Sequence, residues 1–541
     1  MDGKIQKIHS DILLPGDIEI TWSRLLAIMD EAAATMIRTA YSITIRESKD
    51  LAVVLFDRHG RAIAESAIAS PSFIGTLPRT LRAFLVEYPL PEWLPNDLVI
   101  TNDPWIGSGH LQDITMACPL FLGKELLGFV AISAHGPDIG GSLYSAMSRE
   151  IFEEGLRIPI CRYAREGYRN NLVRNFIESN VRVPDKVIGD LEGMAACCRS
   201  AGEQVAGLVE ELGVERYRII GEEIIERSAN AVTESVKEIP DGSFTSVVSA
   251  SGIDHPIEIC CRVTIHHSNI EVDYEGTSAS QSFGINVPDC YTYAHTVYPL
   301  KCIFGPTIPN NHGTIKNFSV VAPQGSILNP LFPAPVNARH LTGQFLSAAV
   351  LLALSKVLPT RVIAESGVPR PQIVFSGETD GGSRFVEHIF LSSGVGAGEK
   401  QDGPHSLCYP TNTANTPVEI LESITPLLVL KKGIRSGSGG AGAYRGGCGQ
   451  DFQVRNIGSK LIRVSMLADL THRGSQGLFG GDIGSPAEFK LDGRLIGDKA
   501  VFDLLPNSVL DVKSAGGGGF GPLERRSEER VSADFSGDYV D

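Results

Sequence analysis

Two histidines and two aspartates in one short segment are the side chains of this chain best suited to chemistry. His110 and Asp113 are three positions apart, and His135 and Asp138 follow within a stretch rich in glycine and apolar residues. Imidazole and carboxylate groups together suit a divalent cation such as Zn²⁺, Mn²⁺ or Fe²⁺. The pattern predicts a site for one divalent metal ion. The alternative is a hydrogen-bonded polar cluster that holds no metal.

Short strands joined by loops are predicted to position these side chains. Strand-like apolar runs cover residues 50–57, 97–101, 114–122 and 126–134. His110 and Asp113 then lie on a loop before one strand, and His135 lies at the end of the next. Loops and strand ends on a rigid scaffold often contain catalytic groups, so this placement favours a functional site.

The rest of the chain indicates a mixed α+β protein of several domains. Helical spacing of apolar residues predicts helices over residues 21–41, 180–213 (as paired helices) and 340–358. The glycine blocks at residues 437–442 and 516–519 are interpreted as tight turns between strands. The predicted domains are an N-terminal metal-site domain with a helical insert (1–238), a central α/β domain (239–368), a β-rich, glycine-rich domain (369–523) and a charged, poorly packed tail (524–541).

Length and charge limit the class of protein. The 541 residues exceed one ordinary core, and 48 basic against 63 acidic residues give a formal net charge of −15. This balance disfavours nucleic acid and anionic membranes as partners. No apolar run reaches the roughly 18 residues of a membrane span, and residues 1–10 lack the apolar core of a signal peptide. Ten cysteines without a C-x-x-C pair suit a reducing compartment, so we expect a cytoplasmic protein.

Eight segments of the chain match the motifs of one known family, in the same order. They are RESKD (46–50), NDPWIGSGHLQD (102–113), AHGPDIGG (134–141), EGLRIP (154–159), ARHLTGQ (338–344), NTPVE (415–419), SGGAGAYRGG (438–447) and GGGGFG (516–521). The chain resembles the hydantoinase B/oxoprolinase family from about residue 18 to residue 524. That family includes caprolactamase beta subunits and subunits of acetone and acetophenone carboxylases, so a hydantoinase B-like fold is expected.

The resemblance implies that the chain works with a second subunit. In this family the partner is the hydantoinase A subunit, an actin-like ATPase that phosphorylates the substrate. The partner would therefore bind ATP and Mg²⁺ within a hetero-oligomer. The chain has no G-x-x-x-x-G-K-[ST] loop, which agrees with a nucleotide site on another chain. The resemblance also implies four metal ligands, which are Asp50, His110, Asp113 and His135.

Two further carboxylates are candidates for catalysis. Asp138 is interpreted as a group that orients His135 through its other ring nitrogen, or as a general base. Asp103 is the second candidate for proton transfer. Both assignments depend on the metal site being real.

Four residues are candidates for substrate binding. Arg339 and His340 precede a predicted helix in a matched segment and are expected to contact substrate or phosphate. A structural role for His340 near the helix start is the alternative. Phe73 and Gly136 occupy positions where many family members have histidine, and both are interpreted as lining the substrate pocket. The loss of two polar groups indicates a different or more apolar substrate than that of the common oxoprolinase type.

Three functions fit these observations. The first is the metal-containing subunit of an ATP-dependent cyclic amidohydrolase, which completes the ring opening of a substrate phosphorylated by its partner. The second is a subunit of an ATP-dependent ketone carboxylase, and the third is a non-catalytic scaffold. A bicarbonate requirement would separate the first two, and metal analysis would separate both from the third.

Overall fold

The computed structural model describes residues 13–540, so the predicted lack of a signal peptide at residues 1–10 lies outside the described residues. Helices occupy Asp17–Thr39, Ile43–Arg46, Thr76–Glu87, Asn171–Asn180, Pro184–Leu212, Val214–Lys237, Asp289–Phe304, His312–Ile315, His340–Gly343, Phe345–Leu354, Val418–Ile424 and Glu528–Ser536. Single helical turns occupy Pro71–Phe73, Leu90–Glu92, Ile151–Glu153 and Leu523–Arg525. Across residues 13–540, no helix combines the length and the apolar composition that crossing a membrane requires.

A seven-stranded sheet forms the first part of the described chain. Its strands are β1 (Leu51–Asp57), β2 (Ala62–Glu65), β3 (Leu98–Thr101), β4 (Asp113–Leu122), β5 (Glu125–His135), β6 (Cys161–Arg165) and β7 (Tyr168–Arg169). They are ordered β2-β1-β5-β4-β3-β6-β7 and pair antiparallel. The four predicted strands match β1, β3, β4 and β5 to within one residue at each end.

The register of this sheet brings predicted ligands together. Asp113 begins β4 and lies directly opposite His135, which ends β5. The amide of His135 donates to the carbonyl of Asp50, just before β1, at 3.1 Å. Directly opposite residues of an antiparallel pair have Cβ atoms about 4.5–5.5 Å apart. Backbone pairing alone therefore places Asp113 and His135 side by side.

Both faces of the sheet are buried, which explains the uninterrupted apolar run in β1. Leu51 and Val53 belong to the main core, packed beneath helix Asp17–Thr39. The alternate residues Ala52 and Val54 belong to a second, smaller core that is covered by helix Thr76–Glu87. Because successive side chains of a strand point to opposite faces, a strand covered on both sides has no polar positions.

The region predicted as paired helices is one long helix. Residues 180–213 contain the continuous helix Pro184–Leu212, which packs against Asp17–Thr39, and the separate helix Val214–Lys237 follows it. Gly213, with φ of 85°, ends the first helix. No proline or left-handed residue interrupts the interior of Pro184–Leu212, so the chain has no point at which to reverse.

Three further sheets follow in the described chain. Their strands are β8 (Gly242–Ala250), β9 (Ile257–His266), β10 (Asn269–Asp273), β11 (Phe318–Val321), β12 (Gln372–Glu378), β13 (Arg384–Phe390), β14 (Leu427–Ile434), β15 (Gln450–Asn456), β16 (Ile462–Leu467), β17 (Glu488–Leu491), β18 (Arg494–Leu495), β19 (Val501–Leu504) and β20 (Val509–Lys513). The sheet orders are β11-β10-β9-β8, β13-β12-β16-β19 and β14-β15-β20-β17-β18. Helices and several sheets thus alternate along the chain, and the predicted α+β class is confirmed. The strand-rich region after residue 368 is likewise confirmed.

The glycine blocks are closely packed backbone segments, and the prediction of tight turns is wrong for most of their residues. Only Gly437 among the residues of these two blocks has a positive φ. A Cβ atom on Gly516 would lie 1.8 Å from the carbonyl oxygen of Ser438, and one on Gly517 would lie 2.1 Å from that of Val395. Glycine is required here because neighbouring backbones leave no room for a side chain.

Replacing Gly517 by alanine is expected to destabilise the protein by about 1–3 kcal/mol, because the new methyl group overlaps a backbone oxygen. Gly207→Ala is the matched control. Gly207 lies inside helix Pro184–Leu212, and a Cβ atom there meets nothing within 4 Å. That change should stabilise the helix by roughly 0.5–1 kcal/mol. Thermal denaturation of both variants measures the contrast, and equal midpoints would contradict the packing argument.

The charged C-terminal segment, predicted to be poorly packed, is instead folded onto the protein. It forms helix Glu528–Ser536. Arg526 and Asp534 are only 9% and 6% exposed. Asp534 accepts hydrogen bonds from Arg526 at 2.8 Å and from Arg445 at 3.1 Å. The charges pair with one another and with a distant arginine, and composition alone does not reveal such pairing.

Candidate metal centre and active site

A small cavity lies where the first sheet meets the segments around residues 340 and 370–411. Its volume is about 30 Å³, which is room for an ion or a water molecule. Its lining consists mainly of polar and aromatic side chains, which are Asp50, Ser70, Ser72, His110, Asp113, His135, Tyr144, Tyr291, Arg339, His340, Gln344, Arg370, Gln372, Phe390 and Thr411.

Three predicted metal ligands form a tight cluster in this cavity. The ligand atoms of His110, Asp113 and His135 all lie within 4.8 Å of one another. Asp113 Oδ1 is 2.8 Å from His110 Nε2 and 2.8 Å from His135 Nδ1. Each of the three residues is 3% exposed or less. The structure therefore brings together three side chains of the types that hold Zn²⁺, Mn²⁺ or Fe²⁺.

The protonation of His110 favours a cation at this point. His110 Nδ1 lies 3.2 Å from the carbonyl oxygen of Asn337, so Nδ1 bears the proton and donates it. Burial, together with the charge of Arg339, lowers the pKa of His110 to about 4, so the ring is neutral at neutral pH. His110 Nε2 is close to Asp113 Oδ1 but has no aligned hydrogen-bond partner. A buried lone pair beside a carboxylate oxygen fits a shared metal ion.

A chain of hydrogen bonds orients His135 in a similar way. His388 Nε2 lies 2.9 Å from Gln372 Oε1, and His388 Nδ1 lies 3.2 Å from His135 Nε2. With the Gln372 oxygen as acceptor, His388 donates from Nε2 and accepts at Nδ1 from His135. In that tautomer His135 presents the lone pair of Nδ1 to Asp113 Oδ1, 2.8 Å away. His388 thus has the position of an outer residue that fixes the tautomer of a metal-binding histidine.

Asp113 also receives the positive charge of Arg339. Asp113 Oδ2 accepts hydrogen bonds from Arg339 Nη2 at 2.8 Å and from Ser108 Oγ at 2.5 Å. Burial opposes ionisation of Asp113, but His110, Arg339 and the hydrogen bonds outweigh it and hold the pKa of Asp113 well below its usual value. Arg339 stacks over the ring of Tyr291 at 4.0 Å. Arg339 therefore lines the cavity, as predicted for a binding residue, and keeps Asp113 ionised.

Tyr144 and His340 complete the aromatic wall of the cavity. The Tyr144 hydroxyl lies 3.0 Å from His340 Nδ1. Burial raises the pKa of Tyr144 well above its ordinary value and lowers that of His340 well below, so a protonated phenol faces a neutral imidazole. His340 Nε2 is buried and has no hydrogen-bond partner. That nitrogen is available to a group that enters the cavity.

Asp50 lines the cavity but stands apart from the three-residue cluster. Its backbone is tied to His135, and the residue is partly exposed. Burial of its carboxyl group raises the pKa of Asp50. The position is compatible with a fourth ligand to a shared ion, which stays a prediction.

Asp138 and Asp103 are engaged by arginines. Asp138 accepts hydrogen bonds from the guanidinium of Arg182 at 2.7 Å and from the amide of Gly140 at 3.2 Å. Asp103 accepts a hydrogen bond from Arg157 at 2.7 Å. Neither carboxylate lines the described cavity. Because the His135 ring nitrogens face Asp113 and His388, Asp138 does not orient that ring, and we propose that both aspartates hold loops in place.

The two positions that depart from the family pattern also lie outside the cavity lining. Phe73 is 1% exposed and packs in the smaller core with Leu77 and Phe84. The amide of Gly136 donates to the carbonyl of Gln112 at 2.8 Å. A role of either residue in substrate binding therefore stays a proposal, which a substrate complex would test.

Sequence reasoning missed Arg370, a cavity residue that is 1% exposed. Its hydrogen-bond partners are the neutral oxygens of Thr411, Thr413 and Leu391. A buried guanidinium with neutral partners keeps its charge available to an anion. Arg370 follows a proline in an otherwise unremarkable loop, so no local pattern indicates its role.

A second group of possible ligands is exposed. Asp241, His266 and His267 lie close together at the turn between β9 and β10. All three are solvent-exposed. These residues serve below as a control for the buried cluster.

Residues 15–523 match the model of the hydantoinase B/oxoprolinase family. The chain is 31% identical to an uncharacterized protein of Methanocaldococcus jannaschii, over 94% of this chain and 91% of that protein. It is 28% identical to the putative B-type subunit of a D-/L-hydantoinase of a Pseudomonas species, over 99% and 94%. It is also 28% identical to a 5-oxoprolinase of Dictyostelium discoideum, over 96% of this chain but only 41% of that longer protein.

Two solved structures share the fold. A caprolactamase described as ATP-dependent, from Pseudomonas jessenii, superposes with a TM-score of 0.89 at 24% identity, over 98% of this chain and 95% of that one. A nucleotide-free acetone carboxylase superposes with a TM-score of 0.86 at 20% identity, over 97% and 78%. The match to the family model spans nearly the whole chain, and the protein therefore belongs to the hydantoinase B/oxoprolinase family.

Proposed function

We propose that this chain is the metal-containing subunit of an ATP-dependent enzyme that hydrolyses a cyclic amide of the hydantoin, oxoproline or lactam type. One observation supports the proposal most strongly. A single cavity combines the His110, Asp113 and His135 cluster with the guanidinium of Arg370, whose partners are neutral. Such a cavity suits a substrate that is bound as an anion, as a phosphorylated amide would be.

We assign a separate role in the reaction to each group of cavity residues. A divalent cation held by His110, Asp113 and His135 would polarise a substrate oxygen as a Lewis acid. Arg370 would hold the phosphoryl group by charge-assisted hydrogen bonds. The phenol of Tyr144 keeps its proton and is placed to donate a hydrogen bond to a substrate oxygen.

The family resemblance and the relatives of this chain support a partner subunit. One relative is named as the B-type subunit of a hydantoinase, so we propose an actin-like ATPase subunit that binds ATP and Mg²⁺ and phosphorylates the amide. All ten cysteines are free, which suits a reducing compartment, and we place the complex in the cytoplasm. A scaffold without catalysis would not need buried ligands beside a buried guanidinium.

Ketone carboxylation is the second candidate, and the fold shared with acetone carboxylase favours it. The test uses the chain co-purified with its ATPase subunit. Hydantoin, oxoproline, caprolactam, acetone and acetophenone are each supplied with ATP, with and without bicarbonate. We expect ATP consumption and a ring-opened product from a cyclic amide without bicarbonate. ATP consumption only with a ketone and bicarbonate would contradict the amide proposal and identify the complex as a ketone carboxylase.

Replacing Arg370 by methionine is expected to lower turnover by about 10²–10³-fold, as the loss of one donor to a developing anion does in other enzymes. Metal content should not change, because Arg370 does not contact the three-residue cluster. Arg370→Lys keeps the charge and should retain part of the activity. Turnover and bound metal are measured on the same samples, and full activity in Arg370→Met would contradict the anion-binding role.

A further inference from the structure

A second, larger cavity lies beside the metal cavity. Its volume is about 530 Å³, which falls within the roughly 300–1,000 Å³ of small-molecule sites. The metal cavity, at about 30 Å³, has room for the reacting group of a substrate but not for a whole cyclic amide or its open-chain product. The larger cavity is therefore the space next to the metal centre in which an organic molecule fits.

Two thin chain segments separate the cavities. Ala69 lines the larger cavity, whereas its neighbours Ser70 and Ser72 line the metal cavity. In the same way, Asn412 lines the larger cavity and Thr411 the metal cavity. Asn412 Nδ2 donates to the carbonyl of Ala69 at 3.2 Å and joins the two segments. A molecule in the larger cavity is thus one layer of residues from the metal centre.

The larger cavity contains buried polar atoms that lack partners. Glu65, at the end of β2, is only 6% exposed, and its Oε1 atom is buried without a hydrogen-bond partner. The side chain of Asn310 hydrogen-bonds Glu65, which lowers the pKa of that carboxyl group, but Asn310 Oδ1 is buried and unpartnered as well. Both residues line the cavity. Unsatisfied buried acceptors are costly, so two of them at one cavity indicate a ligand with donor groups.

Lys301 supplies the opposite charge from helix Asp289–Phe304. Burial lowers the pKa of Lys301. Burial raises the pKa of Glu65 to about 7, and the charge of Lys301 opposes that rise. Among the salt bridges of residues 13–540, none joins the two groups within 4.0 Å. Two unlike charges that face one cavity without pairing are complementary to a molecule with one charge of each sign.

We propose that this cavity binds a small amino acid as a zwitterion, with its ammonium group on Glu65 and Asn310 and its carboxylate on Lys301. The inference rests on the proposed function, because hydrolysis of a lactam or of oxoproline yields such a molecule, whereas a hydantoin would yield a carbamoyl amino acid without an ammonium group. The C–N bond breaks, the oxygen of water joins the carbonyl carbon, and the nitrogen gains protons to become an ammonium group. A free amino acid from solution has the same chemistry and is the second source.

Isothermal titration calorimetry on the purified complex tests the charge pattern. The probe is 6-aminohexanoate, and the matched controls are hexanoate and hexylamine, each of which lacks one charge. L-Alanine represents a free amino acid, because none of the proposed cyclic amides opens to it. We expect at least one zwitterion to bind about tenfold or more tightly than either single ion. Equal binding of the single ions, or no binding of any zwitterion, would overturn the inference.

Two variants locate the binding. Glu65→Gln and Lys301→Met keep side-chain size and should each weaken zwitterion binding by roughly ten- to a hundredfold. Lys301→Met tests the site independently if Glu65→Gln does not fold. Glu234→Gln and Lys237→Met alter an exposed ion pair and should leave binding unchanged. Unaltered binding in both cavity variants would place the ligand elsewhere and overturn the assignment.

The outcomes also separate this inference from the proposed function. Zwitterion binding in a complex that opens no cyclic amide would support the cavity assignment and count against the amidohydrolase. Ring opening without zwitterion binding would overturn only the present inference. Product inhibition that disappears in Glu65→Gln would identify the released product as the source. Binding of L-alanine but not 6-aminohexanoate would identify a free amino acid.

Discussion

The His110→Ala protein is expected to lose its bound divalent metal and its substrate turnover together. His110 Nε2 is a buried atom directed at Asp113 Oδ1 without a hydrogen-bond partner, and alanine removes that lone pair. Loss of a residue that merely orients a metal ligand costs about 10–100-fold in affinity or activity. Removal of the ligand itself should cost at least about 100-fold, measured as bound metal by mass spectrometry and as product formation by the complex.

The matched control is His266→Ala, which removes a histidine from the exposed group beside Asp241. That protein should keep its full metal content and turnover. Stoichiometric metal in His110→Ala, or full turnover in a metal-free sample, would refute the assignment of the metal centre. Loss of metal from both variants would show that the exposed group holds an ion too.

Arg339→Met is expected to destabilise the metal-free protein by about 3–5 kcal/mol, because it leaves Asp113 charged and buried without its cationic partner. Arg339 donates to Asp113 at 2.8 Å, and both side chains are 5% exposed or less. The double variant Arg339→Met, Asp113→Asn removes the stranded charge and should regain most of the loss. Chemical denaturation in the presence of a chelator measures the three stabilities.

Arg361→Met is the control for that measurement. Arg361 pairs with Glu238 at 2.8 Å on the surface, where the two side chains are 39% and 62% exposed. Exposed pairs contribute about 0–1 kcal/mol, so this variant should stay close to the parent. A loss in Arg339→Met no larger than that in Arg361→Met would show that Asp113 does not depend on the arginine for its charge.

The residue positions that the sequence predicts best are those set by the pairing of strands that follow one another in the chain. The boundaries of β4 and β5 follow from apolar runs bounded by polar residues, and a hairpin aligns Asp113 with His135. Because these two residues are close in sequence, local pattern and pairing suffice to place them together. The family resemblance implies Asp50 as a fourth metal ligand. The backbone hydrogen bond between His135 and Asp50 is compatible with that position.

Residues from distant segments escape the same reasoning. Arg370 reaches the cavity from the segment before β12, and His388 reaches His135 from β13. Both lie more than 200 positions after His135. Nothing in the local sequence shows which face of β13 meets the first sheet. Proximity in the sequence predicts that Asp138 orients His135. In the structure the carboxylate of Asp138 pairs with Arg182 instead. Contacts between distant segments decide each of these positions, and one sequence does not show such contacts.

The cavity draws its walls from segments before residue 239, between residues 239 and 368, and after residue 369. His110, Arg339 and Arg370 each belong to a different one of these segments. A protein cut into pieces at these points would give fragments that each lack part of the wall. A severed chain would then regain function when its fragments are mixed and the cavity reassembles. A gene that encoded only the first sheet would supply ligands without the groups that orient them.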